Sequence, residues 1–463
     1  MVFSSLTFLF LFFPAVTALY FVWKNRVWRN VLLLVASLVF YSWGEPKYVL
    51  LMLAATLVAW TGGLLIDRLR GRRGEKAVFV LTVLLLTVNL FVFKYLNFAA
   101  ENLCALFGTE SSLPKIALPI GISFYTFQIL SYVIDLKRGE IAVQRNFFYL
   151  LLYVSFFPQL IAGPIVRYQT VEQEIRTRRE CLDDVVAGLK RFIVGLGKKV
   201  ILANGVALLP QTVYGGDAMF GTAMYWLAAL AYTVQIYFDF SGYSDMAIGI
   251  GRMFGFHFLE NFDEPYRALS VTDFWRRWHI SLSSWFRDYV YIPLGGNRCS
   301  RLRWVRNLLI VWGLTGLWHG AEWNFVLWGL YYAVLLLAEK LLLSRVLARL
   351  PRIVRRLYTL FFVVLGWVLF SVSGLHQLGG ALSSLFCFRP TDWIPALASH
   401  SDLLAALLYL LPGLLLALLP APKRRVRSTA GELCSCALHG LLLIACIVLL
   451  LSSTYNPFIY FRF

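Results

Sequence analysis

The chain alternates long apolar runs with short polar stretches along its whole length. A membrane-spanning helix needs about 20 apolar residues, and several runs approach or reach that length. They are 3–23, 30–43, 47–66, 77–98, 186–209, 222–241, 357–373, 402–420 and 436–452. Shorter runs, interrupted by glycine or proline, lie at 116–134, 147–163, 242–256 and 307–343. The pattern predicts an all-α polytopic membrane protein, a bundle of about 11–13 membrane segments with re-entrant and amphipathic helices.

Basic residues concentrate in short segments between these runs. The basic segments are 24–29, 67–76, 176–180, 297–306, 345–356 and 423–427, whereas 101–113, 210–221 and 374–401 are nearly free of lysine and arginine. The positive-inside bias therefore places the first set in the cytoplasm and both termini outside. This bias accounts for the net charge of +18. The alternative is an anionic cytosolic ligand, such as a coenzyme phosphate, that binds the same loops.

Composition supports one integral-membrane domain over residues 1–463. The hydrophobic fraction is 59% and the mean hydropathy is +0.68, values too high for a soluble protein. Seven cysteines are scattered without a Cys-x-x-Cys pair, which predicts neither a disulfide framework nor a zinc site. The sequence has no P-loop, HExxH or GxSxG motif, so ATP-driven transport and zinc or serine hydrolysis lack support.

A histidine interrupts the apolar stretch LLIVWGLTGLWHGAEWNFVLWGLYY at 308–332. A helix from residue 307 rises about 20 Å by residue 319, which places His319 deep in a hydrocarbon core of about 30 Å. Desolvation holds a buried imidazole neutral, with a lone pair that can accept a proton as a general base. The alternative is a histidine that bridges two helices. The neighbouring Gly313, Gly316 and Gly320 predict a helix break or a close backbone approach.

The segment DFWRRWHISLSSWFRDYV at 273–290 has amphipathic helical periodicity. Aromatic residues fall on one half of the helical wheel, and arginines, serines and aspartates fall on the other. We therefore predict one helix at the cytoplasmic boundary, with His279 at the margin of its aromatic face. The alternative is an interface anchor whose histidine only bonds a backbone carbonyl. The stretch YFDFSGYSDMAIGIGRMFGF at 237–256 places Asp239 and Asp245 among apolar residues, and we expect one of them to cap a helix or to pair with an arginine such as Arg252. The alternative is that it lines a cavity.

Four stretches together resemble the membrane-bound O-acyltransferase family, and most closely its alginate O-acetylation branch. They are FDFSGYSDMAIG, NFDEPYRALSVTDFWRRWHISLSSWFRDYVYIPLGGNR, TGLWHGAEWNFVLWG and the terminal NPFIYFRF. The resemblance covers nearly the whole chain, with its core signature at 237–332. It implies a multi-helix fold with a transmembrane tunnel, in a multi-pass protein of the bacterial inner membrane. The family's membrane histidine corresponds to His319, and its second characteristic position corresponds to His279.

The resemblance further implies O-acetyl transfer from cytoplasmic acetyl-CoA, with no permanently bound cofactor and no metal. An extracytoplasmic SGNH-hydrolase-like partner would pass the acetyl group to a polysaccharide such as alginate, cellulose or peptidoglycan. We expect His319 to be the base, and His279, the Trp318 N–H or a backbone N–H to face the oxyanion. Arg276, Arg277 and Arg298 are candidates for the coenzyme phosphates. Trp318, Asn324, Asp239 and Trp278 are candidates for the tunnel lining.

Three other functions stay open at this point. A proton-coupled transporter would use His319, Asp239 and Asp245 as a relay, and would move solute without consuming thioester. A non-catalytic scaffold would recruit the extracytoplasmic partner and would tolerate loss of both histidines. Within the same family, the reaction could instead be D-alanyl transfer to teichoic acid.

Overall fold

The computed structural model describes residues 1–215, 220–388, 401–420, 428–452 and 458–459, with the backbone alone at 401–403. Within these residues the secondary structure is helical and contains no strand. The chain forms two compact units, one of residues 1–192 and 244–259, the other of residues 193–243 and 260–463. The basic segment 423–427, most of the terminal NPFIYFRF, and parts of 210–221 and 374–401 lie outside the described residues.

The first unit consists of helices of very different length. Its helices are α1 (Phe13–Val22, after a π-helical turn at Phe8–Phe12), α2 (Arg26–Ser42), α3 (Val49–Arg68), α4 (Gly74–Lys94), α5 (Leu96–Leu106), α6 (Ile122–Arg138), α7 (Phe147–Ser155), α8 (Phe157–Leu160), α9 (Tyr168–Thr177) and the first part of α10 (Leu182–Gly197). Their bounds follow the apolar runs of the sequence to within a few residues at most ends. The short α7 and α8 divide the proline-containing run at 147–163.

The second unit holds both predicted histidines. After the end of α10 and a π-helical turn at Lys198–Ala203, it contains α11 (Asn204–Val206), α12 (Leu208–Gly215), most of α13 (Thr222–Met253), α14 (Val271–Arg277), α15 (Ile280–Phe286), α16 (Arg301–His319), α17 (Trp323–Ala338), α18 (Ser344–Arg349), α19 (Arg352–Ser371), α20 (Leu375–Phe386), α21 (Ser401–Leu418) and α22 (Thr429–Ser452). Further turns lie at Pro265–Arg267, Arg287–Tyr291 and Glu339–Leu343.

Six helical stretches among the described residues are long and apolar enough to cross a membrane. They are Val49–Arg68, Gly74–Lys94, Leu182–Gly215, Trp323–Arg349, Arg352–Ser371 and Thr429–Ser452. Two shorter apolar helices lie at Phe8–Val22 and Leu404–Leu418. The chain is thus a polytopic α-helical membrane protein, while the total of about 11–13 segments and the position of the termini stay predictions.

The division of the run at 222–256 into two segments is wrong, because α13 is one continuous helix of 32 residues. Its glycines allow close helix packing instead of breaking the helix. A Cβ at Gly242 would lie 2.7 Å from the carbonyl oxygen of Gly195, and one at Gly249 would lie 2.5 Å from that of Gly188. In both places only a glycine lets the two backbones approach so closely.

One of the two aspartates does pair with an arginine, as expected, but that arginine is not Arg252. The Asp245 carboxylate is bound by Arg191 of α10, with its Oδ1 at 2.8 Å from a terminal guanidinium nitrogen. Arg252 instead pairs with Asp184 at 2.7 Å. Both ion pairs thus join α13 to the neighbouring α10, at the place where the close glycine contact between Gly249 and Gly188 brings the two helices together.

The prediction of one helix over 273–290 is wrong at its centre. The helical backbone ends at Arg277; Trp278 is extended, and His279 has left-handed angles of φ 45° and ψ 55°. Asn261 supplies the hydrogen bonds that a continuous helix would have made internally. Its backbone oxygen accepts from the N–H of Ile280 at 3.0 Å, and its side-chain oxygen accepts from that of Ser281 at 3.2 Å. The break turns His279 into the protein, where it is 1% exposed.

Candidate active site

His319 is the last residue of α16 and lies in a cage of aromatic rings. It is 3% exposed. Its ring meets those of Trp318, Trp328 and Phe370 edge to face, with centroid distances of 4.9, 5.0 and 5.1 Å. Such surroundings provide a dry environment, which favours a neutral imidazole able to accept a proton.

Two glycines hold the hairpin that carries this histidine. A Cβ at Gly316 would lie 2.3 Å from the carbonyl oxygen of Phe325, and one at Gly329 would lie 2.3 Å from that of Trp312. The pairing of 316 with 325 and of 312 with 329 shows that α16 and α17 run antiparallel. The predicted close approach is therefore confirmed at Gly316. At Gly320 the backbone becomes extended and ends α16, while Gly313 has no neighbour within 4 Å.

His279 is held by Asn261, a residue that the sequence alone did not single out. The His279 Nδ1 lies 3.1 Å from the Asn261 side-chain oxygen. Because that oxygen also accepts the backbone N–H of Ser281, it is the carbonyl oxygen of the amide. Burial lowers the pKa of His279, so the ring is neutral, donates from Nδ1 and keeps its lone pair on Nε2.

Trp318 connects the two histidines. Its ring contacts that of His319, as noted, and lies 5.8 Å from that of His279. The Phe240 ring packs edge to face on the His279 ring, with a centroid distance of 4.6 Å. The structure therefore brings His279, Trp318 and His319 into one cluster within the second unit, although they come from two separate elements of the chain.

A polar-lined cavity of about 250 Å³ adjoins this cluster. Phe370 is shared: it lines the cavity and also contacts the His319 ring. The other lining residues are mostly uncharged polar or aromatic: Ala207, Pro210, Gln211, Tyr214, Gly215, Tyr232, Gln235, Glu322, Phe325, Ser371, Val372, Ser373, Gln377 and Ile459. His319 itself does not line the cavity, and the predicted continuous tunnel stays a prediction.

Two buried polar atoms near His319 have no hydrogen-bond partner among the described residues. They are the side-chain oxygen of Asn324, whose amide nitrogen donates to the Phe370 carbonyl at 3.3 Å, and the indole Nε1 of Trp328. Nearly all buried polar groups in folded proteins are hydrogen-bonded, so each of these atoms is a candidate ligand contact. The Trp328 N–H was not found from sequence, where it belongs to an apparently uniform apolar helix.

The predicted arginines lie in different environments. Arg277 lines a second cavity of about 240 Å³ together with Arg267, Arg352 and Arg356, and with Leu269 and Asp273. Arg277 is also bonded to Asp273 at 3.0 Å, and Arg267 pairs with Glu264. Among the described residues no carboxylate pairs with Arg352 or Arg356. Arg276 and Arg298 are exposed and lie outside the cavity.

The remaining predicted tunnel residues, Trp278 and Asp239, are buried. Trp278 is 2% exposed and packs against Phe262, Phe274 and Trp367 at centroid distances of 5.0, 5.6 and 4.7 Å. Asp239 is 1% exposed and pairs with Lys199 at 2.5 Å. Neither residue lines the cavity beside His319. Within the described residues, no three His, Cys, Asp or Glu side chains form a group that could hold a metal ion.

Fold and site together define a polytopic helical membrane protein with two buried histidines at one aromatic cluster. The family model of MBOAT, the membrane-bound O-acyltransferase family, matches residues 138–379. This range includes both histidines, the arginines of the arginine-lined cavity, and Phe325 and Phe370 of the cavity beside His319. The chain belongs to this family.

The chain is similar to several curated proteins. The "probable alginate O-acetylase AlgI" of Azotobacter vinelandii is 44% identical over 85% of this chain and 79% of its own length. The protein of the same name from Pseudomonas putida is 39% identical over 100% of both chains. The "peptidoglycan O-acetyltransferase" of Helicobacter pylori is 33% identical over 81% of this chain and 78% of its own. The chain is therefore an alginate O-acetylase-like membrane O-acyltransferase.

Proposed function

We propose that this O-acyltransferase takes an acetyl group from cytoplasmic acetyl-CoA and passes it toward a cell-surface polysaccharide, with His319 as general base. The observation that carries the proposal is the position of His319, which is buried, surrounded by aromatic side chains, and in contact with Phe370, a residue that also lines the adjoining cavity. The names of the relatives, which specify alginate and peptidoglycan, support a polysaccharide as the final acceptor. An inner-membrane location and an extracytoplasmic SGNH-hydrolase-like partner belong to the same proposal.

In the proposed reaction, a single proton passes from the acceptor hydroxyl through His319 to the coenzyme thiolate. His319 removes the proton of an acceptor hydroxyl, and the oxygen forms a bond to the thioester carbonyl carbon. The resulting oxyanion collapses as the carbon–sulfur bond breaks, and the departing coenzyme thiolate takes the proton from the imidazolium. The acetyl ester and free coenzyme thiol leave, and His319 is neutral again.

The oxyanion needs a hydrogen-bond donor close to the base. His279 does not serve through Nε2, because its proton is on Nδ1 and is directed at Asn261. The Trp328 N–H, buried beside His319, is the better donor. His279 instead helps to position the acyl donor or the acceptor hydroxyl.

Each of the two cavities is assigned to one substrate. The arginine-lined cavity formed by α14, α19 and the turn before α14 suits the phosphates of the coenzyme. The other cavity, lined by glutamine, serine and tyrosine side chains together with Glu322 and apolar residues, suits a hydroxyl compound or the hydroxyl-bearing side chain of a partner. Of the three arginines considered from sequence, Arg277 has the strongest support because it lines the arginine-lined cavity.

Replacement of His319 tests the proposal. His319→Ala is expected to abolish acetyl transfer, because general-base catalysis contributes roughly 10²–10⁴-fold, while folding and insertion persist. His376→Ala, which removes an exposed histidine on α20, is the matched control. Coenzyme release from acetyl-CoA in proteoliposomes gives the rate. A His319→Ala protein that transfers acetyl at the wild-type rate contradicts the assignment, and solute flux without coenzyme release indicates a transporter.

A further inference from the structure

Asp239 is a buried carboxylate with one partner from a distant end of the chain. Its Oδ1 pairs with the Lys199 ammonium at 2.5 Å, and its Oδ2 accepts the backbone N–H of Ile459 at 2.8 Å. The side chains of both charged residues are at most 3% exposed. A buried charge is costly unless it is paired and hydrogen-bonded. The Lys199 ammonium pairs with Oδ1, and the Ile459 N–H supplies a hydrogen bond to Oδ2.

The residue before Ile459 packs on the same face of α13. The Phe458 ring lies 4.7 Å from the ring of Tyr243, one helical turn beyond Asp239, and its centroid is 6.0 Å from the Lys199 ammonium. Phe458 is 2% and Ile459 is 8% exposed. Residues 458–459 are therefore held on α13 by a hydrogen bond and by an aromatic contact at successive turns.

This attachment has a consequence for the cavity beside His319. Ile459 lines that cavity together with Gln235, one turn before Asp239 on α13, and with Phe370, which contacts His319. One part of the cavity wall thus comes from the end of the chain and not from a helix of the bundle. Its place depends on the hydrogen bond that Asp239 accepts.

We propose that residues 458–459 form a fixed wall of the acceptor cavity, and that Asp239 is the positioning residue that holds this wall. In this arrangement the Ile459 side chain limits the size of the hydroxyl compound that approaches His319. The inference rests on the proposed function, since it assigns this cavity to the acceptor. It concerns the acceptor side alone, so the binding of the thioester donor is independent of it.

Two double variants isolate the hydrogen bond from the ion pair. Asp239→Asn with Lys199→Met removes both charges but keeps an oxygen that accepts the Ile459 N–H. Asp239→Ala with Lys199→Met removes both charges and the acceptor. Each is combined with Ser371→Cys in the cavity lining, and the rate at which a bulky maleimide labels this cysteine is read by peptide mass spectrometry.

The parent protein carries Ser371→Cys alone. The cysteine is expected to be labelled at least tenfold faster in the alanine double variant than in the parent, and at the parent's rate in the asparagine double variant. The KM for acetyl-CoA, from coenzyme release, should be the same in all three proteins. Equal labelling of the two double variants, or an equal rise in the donor KM, overturns the proposal. If the double variants do not fold, Ile459→Pro, which removes both the N–H and the isoleucine side chain, is compared with Ile459→Ala, which shortens the side chain and keeps the N–H. Faster labelling of the proline variant supports the proposal, and equal labelling overturns it. Absence of coenzyme release in the parent contradicts the proposed function instead, and the labelling rates still decide this inference.

Discussion

Gly316→Ala is expected to damage the site without touching any functional group. The added Cβ would lie 2.3 Å from the Phe325 carbonyl oxygen, whereas ordinary van der Waals contact begins near 3.4 Å. The two backbones must therefore part by about 1 Å. Overpacking of this kind typically costs about 1–3 kcal/mol of stability. A misplacement of about 1 Å at a reacting centre can cost roughly 10²-fold in rate.

The matched control is Gly313→Ala, on the same helix, where nothing lies within 4 Å. Alanine there should be neutral or stabilising by up to about 1 kcal/mol, from helix propensity. Thermal unfolding in detergent reports stability, and coenzyme release from acetyl-CoA at a temperature where both variants are folded reports rate. If Gly316→Ala unfolds at the same temperature and reacts at the same rate as Gly313→Ala, the tight α16–α17 contact does not position His319.

Trp328→Phe should lower kcat for acetyl transfer by roughly 10²–10³-fold, the usual effect of losing one oxyanion donor, with little change in KM. Trp312→Phe, in the same aromatic cluster, is the control. Equal rates for the two variants would show that the Trp328 N–H takes no part in the mechanism. The double variant Arg352→Gln, Arg356→Gln should raise KM for acetyl-CoA at least tenfold and leave KM for S-acetylpantetheine, which lacks the nucleotide phosphates, unchanged. Arg349→Gln, an exposed arginine of the same basic segment, should affect neither donor. A parallel rise for both donors would contradict phosphate binding in the arginine cavity.

The apolar runs predicted most helices because burial in lipid or protein depends on local composition. The turn at 319–322 and the burial of His319 were also predictable, since both follow from one titratable residue and several glycines in an otherwise apolar run. The antiparallel packing of α16 on α17 then follows from Gly316 and Gly329, whose contacts bring the two helices together.

Features that depend on distant residues were not predictable. The break at Trp278–His279 requires Asn261, which lies 18 positions from His279, and no local periodicity indicates it. Glycine is equally compatible with a helix break and with close packing, so α13 was divided where it is continuous. The partners of Asp245 and Asp239 are separated from them by 54 and 40 residues along the chain, distances at which a sequence pattern does not distinguish one cation from another.

The hairpin contact between α16 and α17 is made by main-chain atoms, whereas the cavity beside it is shaped by side chains from several other parts of the fold. Chemistry and selectivity therefore depend on different kinds of atoms. If this cavity binds the acceptor as proposed, amino-acid changes in its wall are expected to change which hydroxyl is accepted while the imidazole stays in place. For enzyme engineering, this makes the wall residues the natural library positions and the paired glycines the ones to leave untouched.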